Sequence, residues 1–130
     1  MEKEIVPVPG LSESLAGLPL SLAVKGAGLV FISATPPIDK ATGKMLLDAD
    51  FSTQSRHCLE NIKAALEAAG SSLEKVLKVT VYVSNAAYFN TFNEIYREYF
   101  PTAPPARTFV AVGSWPVTFD IEVECIALAD

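Results

Sequence analysis

The segment VLKVTVYVS, at residues 76–84, is a predicted strand that lies between two predicted helices, and this order constrains the fold more than any other feature of the sequence. Val79, Val81 and Val83 fall on one face, and Thr80 and Tyr82 fall on the other. Apolar residues recur at helical spacing over 51–69 before the strand and over 87–100 after it. A strand flanked by amphipathic helices on both sides belongs to a sheet that helices cover on one face.

The remaining predicted strands complete a single mixed sheet. Runs of β-branched and aromatic residues predict them at 21–34, 106–113 and 119–128, with a further strand at EIVPV. The run at 21–34 is a hairpin, and Gly26 and Gly28 of its KGAG turn can adopt positive φ. The segment PPIDKATGK that follows is predicted as a loop. The predicted fold is an α+β sandwich, a single domain over 1–130, with one mixed sheet and two helices on one face.

Composition indicates that the chain associates with copies of itself. Half of the 130 residues are hydrophobic and 19% are charged, and the mean hydropathy is +0.30. A domain of this size cannot bury all of its apolar surface internally, and the sequence offers no third helix for the second face of the sheet. We therefore expect a homo-oligomer in which a neighbouring subunit covers that face.

Charge and hydropathy argue against several other classes of protein. The net charge of −5, without any basic run, disfavours nucleic acid as a partner. No run approaches the ~20 apolar residues of a membrane span. The N-terminal MEKEIVPVPG lacks the pattern of a signal or transit peptide. The sequence therefore predicts a soluble, cytoplasmic protein that does not bind membranes.

The single histidine and the two cysteines do not form a reactive or metal-binding set. His57 lies off the apolar stripe of the first helix and is expected at the surface or at an interface. Cys58 and Cys125 fall on apolar faces, where cysteine behaves as a small hydrophobic residue. Because one histidine and two scattered cysteines cannot supply the four ligands of a zinc site, no metal is expected.

The last strand, FDIEVECIALA, carries a different kind of chemistry. Its alternation places Asp120, Glu122 and Glu124 together on the face opposite the apolar residues. One interpretation of this row is a solvated sheet face. The other pairs one carboxylate with Arg107, from the segment APPARTFVAV, around a small wet cleft. There the guanidinium would bind a carboxylate substrate through two parallel hydrogen bonds, and a glutamate would act as a general acid or base. Spacing leaves both interpretations open.

Longer segments of the chain resemble a known family. They are NEIYREYFPTAPPARTFVAVG followed by FDIEVECIA, LVFISATPPID, and TQSRHCLENIKAALEAAGSSLEKVLKVTVYVSN. Together they are similar to the RidA/YjgF family of reactive-intermediate deaminases. The resemblance implies a chorismate-mutase-like fold and a homotrimer with a central β-barrel and three sites between subunits. It also implies hydrolysis of 2-imino or enamine acids to 2-keto acids and ammonia, without a cofactor.

The resemblance also implies roles for individual residues. The arginine of the family pattern matches Arg107, which would bind the substrate carboxylate. The matching glutamate is Glu122, which would position or activate the attacking water, and the backbone carbonyl of Phe109 would assist it. Ser33 and Asn93 also retain the residue types of the family and are expected to line the site.

The walls of the expected pocket depart from the family pattern. LPLSLA stands where deaminating members read Gly-Pro-Tyr-Ser-Gln-Ala, so that Leu20 replaces a tyrosine and another leucine replaces the glutamine. Ala34 and Thr35 stand in place of Gly-Gln, and Phe109 replaces a common cysteine. Trp115, in the loop GSWPVT, is a candidate for a further aromatic wall.

These substitutions leave two functions open. In the first, the protein is a deaminase that acts on a bulkier or more apolar imine or enamine acid than typical members do. In the second, it is a divergent member that binds a carboxylate metabolite and turns it over weakly or not at all. Some family members carry older labels as translation inhibitors or ribonucleases. The acidic charge balance disfavours an RNA-directed activity of that kind.

Overall fold

The structure is a computed structural model that describes residues 2–130, and both predicted helices and all predicted strands are present there. The elements are β1 (Glu4–Val6), β2 (Ala23–Gly26), β3 (Leu29–Thr35), β4 (Ile38–Asp39), β5 (Lys44–Met45), α1 (Phe51–Ala68), β6 (Val76–Val83), α2 (Phe89–Tyr99), β7 (Ala106–Ala111) and β8 (Ile121–Leu128). The ends of the predicted elements differ from the observed ones by at most two residues. Within residues 2–130, neither helix combines the length and the apolar composition that crossing a bilayer requires.

Six strands form one mixed sheet in the order β1-β2-β3-β8-β6-β7. The pair β6–β7 is parallel and the other neighbours are antiparallel. The parallel pair needs a crossover, and α2 supplies it. The prediction of a mixed sheet is therefore confirmed. The prediction of a loop over PPIDKATGK is wrong in part, because the short strands β4 and β5 pair there as a second, two-stranded sheet.

The two helices pack side by side over one face of the sheet. Helix α1 begins at Asp50, whose carboxylate accepts a hydrogen bond of 2.8 Å from the backbone N–H of Thr53. Gly70 follows its end with φ of +80°, which suits a glycine stop. On the exposed side, Arg56 of α1 forms a 2.7 Å ion pair with Glu98 of α2. The buried residues of α1 that face the sheet include Cys58, Leu59, Ile62, Ala65 and Leu66.

Strand alternation separates a helix-covered face of the sheet from an open face. On the covered face the buried residues include Val79, Val81, Val83, Ile121, Val123 and Cys125. On the open face, Glu122 and Glu124 are only half-buried. Phe31 is 42% exposed and Leu128 is 43% exposed on the same face. Within the described part of the chain, no helix packs on this open face.

The hairpin between β2 and β3 turns through two left-handed residues. These are Ala27 with φ of 54° and Gly28 with φ of 77°. Gly26 is the last residue of β2 and pairs with Leu29. The prediction for Gly28 is confirmed and that for Gly26 is wrong, since the turn begins one residue later and places an alanine in the position expected for a glycine.

Candidate active site

Arg107 lies on β7, the edge strand of the sheet, and its side chain points to the helix-covered face. In the parallel register, Arg107 pairs with Val79 and Phe109 pairs with Val81. Paired residues of neighbouring strands share a face, and both valines are buried beneath the helices. The Arg107 guanidinium is therefore enclosed between the sheet edge and α2.

Aromatic rings and one amide hold this guanidinium. Its Nη2 donates a 2.7 Å hydrogen bond to Oδ1 of Asn93 on α2. Its Cζ lies 4.8 Å from the ring centroid of Tyr96, 5.7 Å from those of Phe89 and Phe92, and 5.9 Å from that of Phe109. Cation–π contacts of this kind fix a cation without neutralising it. Among residues 2–130, no carboxylate lies within ion-pair distance of Arg107. The charge is thus positioned and left available to an anion.

A groove of about 300 Å³ opens beside the guanidinium. Its lining residues are Asn93, Tyr96, Arg97, Phe100, Pro104 and Arg107. The hydroxyl of Tyr96 is buried, and the described residues offer it no hydrogen-bond partner. Burial raises the pKa of Tyr96, so the phenol stays neutral beside the cation. Two arginines and an aromatic wall suit a small organic carboxylate.

The sequence of α2 explains why this cluster forms. Phe89, Asn93 and Tyr96 are spaced four and three residues apart, which places them on one face of a helix. That face meets β7 because the chain reverses between Tyr99 and Ala106. The reversal includes Ala103, whose φ of 45° lies in the left-handed region. Pro101, which directly follows the C-cap Phe100, prevents α2 from continuing.

Glu122 lies on the open face. It pairs with Tyr82 of β6, and Glu124 pairs with Thr80. Burial, followed by the negative charge of Glu124, raises the pKa of Glu122. Tyr82 donates its hydroxyl to Glu124, and this contact raises the pKa of Tyr82 to about 12. A half-buried glutamate with a raised pKa is better suited to exchange protons near neutral pH than an exposed one.

Within one chain, Arg107 and Glu122 lie on opposite faces of the sheet. The cleft considered from the sequence, with Arg107 paired to a carboxylate of the last strand, therefore does not form inside a single subunit. The expected row of three carboxylates is also wrong for Asp120, which precedes β8. Its carboxylate accepts hydrogen bonds of 2.7 Å from Ser84 Oγ and 3.2 Å from Nε2 of the buried Gln54.

The predicted residues of the LPLSLA and β3 segments lie on or beside β3, which pairs with β8, the strand of Glu122, and not with β7, the strand of Arg107. Ser33 Oγ donates a 2.7 Å hydrogen bond to the carbonyl of Ser21, next to Leu20. Ala34 lies in the irregular stretch of β3 that faces β8, and Thr35 pairs with Val123 and is fully buried. Strands β8 and β6 separate β3 from β7. Because strands are about 4.8 Å apart, roughly 14 Å separates β3 from β7.

The other predicted side chains have local partners. Trp115 lies in the loop between β7 and β8, where its Nε1 donates a 2.6 Å hydrogen bond to the carbonyl of Phe119 and its ring packs on that phenylalanine.

Cys58 and Cys125 are buried as expected. Burial raises the pKa of both thiols, to about 12 for Cys125, so they are unreactive. His57 is half-buried on α1. Within the described residues, no cluster of histidine, cysteine and carboxylate residues could hold a metal ion.

Sequence reasoning missed three residues of the Arg107 cluster, the aromatic rings of Phe89, Phe92 and Tyr96. Helical spacing places all three in the apolar stripe of the second helix, yet Phe89 is 45% exposed. Its ring meets that of Phe109 edge-on, with centroids 5.2 Å apart. The position of Phe89 was the signal that could have indicated its exposure. The first residue of a helix has no preceding helical turn to cover its side chain.

Nearly the whole chain is similar to known proteins. The family model described as Endoribonuclease L-PSP matches residues 12–129. The chain is 47% identical to the RutC family protein PH0854 of Pyrococcus horikoshii, over 84% of this chain and 86% of that protein. It is 35% identical to Reactive Intermediate Deaminase A, chloroplastic, of Arabidopsis thaliana, over 98% of this chain and 66% of that protein. The structure of E. coli TdcF with bound serine superposes with a TM-score of 0.86 at 32% identity, covering 96% of this chain and 98% of that one.

Proposed function

Because this chain belongs to the RidA/YjgF family, whose model matches residues 12–129, we propose that it hydrolyses reactive 2-imino and enamine acids to 2-keto acids and ammonia. A relative named Reactive Intermediate Deaminase A supports this activity at the level of the family. The observation that carries the proposal is the state of Arg107. Its guanidinium is held by Asn93 and aromatic rings beside an open groove, with no carboxylate partner among residues 2–130.

The proposed site is completed by a second subunit. Arg107, Phe109 and Asn93 form one half at the β7 edge. Glu122 and Ser33, with Leu20 beside them, form the other half, whereas Thr35 is fully buried on the helix-covered face and takes no part in it. Since these halves point to opposite faces of one chain, they converge only where the β7 edge of one subunit meets the open face of the next. This arrangement agrees with a homotrimer that has its sites between subunits.

The reaction proceeds with water as the only co-reactant. Arg107 binds the substrate carboxylate through its free N–H groups. An enamine first takes a proton on carbon to become the imine. The partner subunit's Glu122 accepts a proton from water as the oxygen forms a bond to the C=N carbon, and it returns that proton to the nitrogen. The hydroxyl proton of the resulting carbinolamine then passes through the same carboxylate to the amine nitrogen, so the C–N bond breaks, ammonia leaves and the keto group forms. The backbone carbonyl of Phe109 assists by orienting the water.

The apolar pocket wall favours a larger substrate than typical members take. Leu20 is 49% exposed and thus free to contact a ligand, and Phe109 brings ring area to the arginine half.

The alternative function, binding of a carboxylate metabolite with little turnover, uses the same Arg107 contact. The serine bound to TdcF is compatible with either function. Tight, salt-dependent RNA binding would instead revive the ribonuclease description, which the net charge of −5 disfavours.

An imine-hydrolysis assay tests the proposal. An amino-acid oxidase generates imino acids in situ from small, aliphatic and aromatic amino acids, and keto-acid formation is followed. Arg107→Ala should lose about 2–5 kcal/mol of ligand binding, which is a fall of roughly 30-fold to several thousand-fold. Arg56→Ala, which removes an exposed arginine paired with Glu98, is the matched control and should retain activity.

Each outcome of this assay separates the candidate functions. Acceleration that disappears in Arg107→Ala and persists in Arg56→Ala supports the deaminase. No acceleration on any substrate, together with 2-keto-acid binding that requires Arg107, favours the metabolite-binding alternative. Equal activity and equal ligand affinity in the wild type and in Arg107→Ala would refute the assigned role of Arg107.

A further inference from the structure

The two glutamates of the open face differ in what holds them. The phenol hydroxyl of Tyr82, on β6, donates a hydrogen bond to Oε1 of Glu124. The Glu122 carboxylate accepts no hydrogen bond from residues 2–130, and its pKa is raised by burial and by the charge of Glu124. One carboxylate is therefore fixed by a donor, and the other is left free to contact water.

The hydrogen bond from Tyr82 runs diagonally across the β6–β8 pair. Tyr82 lies directly opposite Glu122, and Thr80 lies directly opposite Glu124. The residue directly opposite is the nearest cross-strand partner, but a diagonal neighbour is still within reach of a long aromatic side chain. The hydroxyl thus passes the nearer glutamate and bonds to the farther one. Because a hydrogen bond to a carboxylate favours its charged form, Tyr82 stabilises the ionised form of Glu124.

The other titratable groups around this pair leave the relation unchanged within the described chain. The cation of β6, Lys78, donates a 2.6 Å hydrogen bond to Thr108 and forms no ion pair with either glutamate. On the helix-covered face, Cys58 stays a neutral thiol because burial raises its pKa. Glu122 and Glu124 are two residues apart on one strand, with Cα atoms roughly 7 Å apart, so the charge of one favours protonation of the other.

We propose that Tyr82 is a positioning residue that holds Glu124 in its ionised form and thereby directs the proton shared by the two carboxylates to Glu122. This inference rests on the deaminase function and on the role of Glu122 proposed above. It deepens that function, because a pair without the phenol would divide the proton between two sites, and the proposed mechanism uses only one of them.

The test is the pH profile of kcat/KM for imine hydrolysis in the wild type, Tyr82→Phe and Glu124→Gln, after subtraction of the uncatalysed rate at each pH. Ionised Glu122 is the active base, so activity falls on the acidic side of the profile as this carboxylate is protonated. Glu124→Gln removes the neighbouring charge, and the acidic limb should therefore move to lower pH. Tyr82→Phe removes only the donor that stabilises this charge, so its limb should move in the same direction by a smaller amount.

The size of the effect on turnover distinguishes Tyr82 from Glu122 itself. In Tyr82→Phe the plateau kcat should fall by less than about tenfold, because the base is weakened and still present. Loss of a proton-transfer group lowers the rate by about 10²–10⁴-fold. A fall of that larger size in Tyr82→Phe, without a shift of the limb, would contradict a role that acts through Glu124.

Two comparisons distinguish this role from a structural one. In the double variant Tyr82→Phe/Glu124→Gln, the limb should coincide with that of Glu124→Gln, because the phenol then has no charge to hold. Tyr99→Phe on α2 is the matched control, since it removes a half-buried phenol beside the exposed Glu60 on the helix-covered side. Its profile should match that of the wild type. A double variant whose limb moves as far again as the two single shifts combined would overturn the coupling.

A titration without substrate separates failure of this inference from failure of the proposed function. Carbon-13 NMR follows protonation of the Glu122 carboxyl, whose signal is assigned by its absence in Glu122→Gln. A signal and an acidic limb that both stay unchanged in Tyr82→Phe overturn the role of Tyr82 and leave the deaminase standing. A wild type that hydrolyses no imine, but whose Glu122 signal titrates at lower pH in Tyr82→Phe and Glu124→Gln, overturns the deaminase and keeps the placement of the proton. Absence of hydrolysis together with an unchanged Glu122 titration in both variants overturns both.

Discussion

Glu122 shows how a single residue can be a disadvantage for folding and an asset for function. It is a half-buried carboxylate beside Glu124, and burial and that neighbouring charge both favour its protonated form. The folded chain therefore holds this proton more tightly than the unfolded chain. The stability that results is present at low pH and is lost as pH rises through the pKa of the folded state.

Replacing Glu122 by glutamine should consequently raise stability, most clearly at alkaline pH, and slow turnover. Glu122→Gln removes the ionised form, so its unfolding temperature should exceed that of the wild type in a mildly alkaline buffer, with a smaller difference in an acidic one. Its kcat should fall about 10²–10⁴-fold if Glu122 transfers protons, with a lesser change in substrate affinity. Thermal unfolding at both pH values and steady-state kinetics measure the two effects.

The control for this experiment is Glu67→Gln, which alters an exposed carboxylate on α1 and should change neither quantity. A Glu122→Gln protein that is less stable than the wild type at alkaline pH would contradict the electrostatic account of this residue. Equal losses of kcat and affinity would indicate a structural role for the carboxylate.

At the scale of elements, the β2–β3 hairpin has a turn whose sequence does not suit its conformation. Ala27 adopts φ of 54° and Gly28 adopts φ of 77°. Two consecutive positive φ values are typical of the two-residue turns in which Asn-Gly is strongly preferred. Alanine in this region clashes with its own backbone, at a cost of about 1–2 kcal/mol.

Ala27→Asn should therefore stabilise the protein by about 0.5–1 kcal/mol, because asparagine tolerates the left-handed region better than alanine does. Chemical denaturation measures the change in the free energy of unfolding. Ala41→Asn is the control, since it introduces the same residue at an exposed position where φ is not positive. An equal gain at both positions would show that the effect does not come from turn geometry.

At the scale of the whole molecule, the open sheet face determines whether the proposed site exists. This face combines the exposed Phe31 and Leu128 with Glu122 and Glu124. Apolar area of this kind, left uncovered in one chain, is typical of a subunit interface. Because the two halves of the proposed site lie on opposite faces of one chain, assembly and activity should be lost together.

Phe31→Lys should thus convert the oligomer to monomers and remove imine hydrolysis, since it introduces an unpaired charge into the interface. Light scattering should give three times the chain mass of 13.9 kDa for the wild type and one chain mass for the variant. Lys25→Ala on β2, a half-buried position that pairs with Val30 and so lies on the other face of the sheet from Phe31, is the control and should remain assembled. A wild-type particle of a single chain mass would exclude the inter-subunit site.

The local order of the chain was predictable because it depends on neighbouring residues. Apolar spacing predicted α1 and α2, and alternation predicted β6 and β8, each to within two residues of its observed ends. Turn residues were less predictable, as Ala27 shows, since the register of the hairpin decides which residue takes the strained position.

What the sequence by itself determined about this protein is its two helices, the strands of its six-stranded mixed sheet, and the chemical groups available to a site, above all Arg107 and Glu122. Only the tertiary structure decided how those groups are disposed. The β6–β7 register directs Arg107 toward the helices, the β6–β8 register directs Glu122 away from them, and a hydrogen bond to Gln54 removes Asp120 from the row. Periodicity states which residues of one strand share a face, but the relation between two strands depends on pairing across long stretches of chain, which no local pattern encodes.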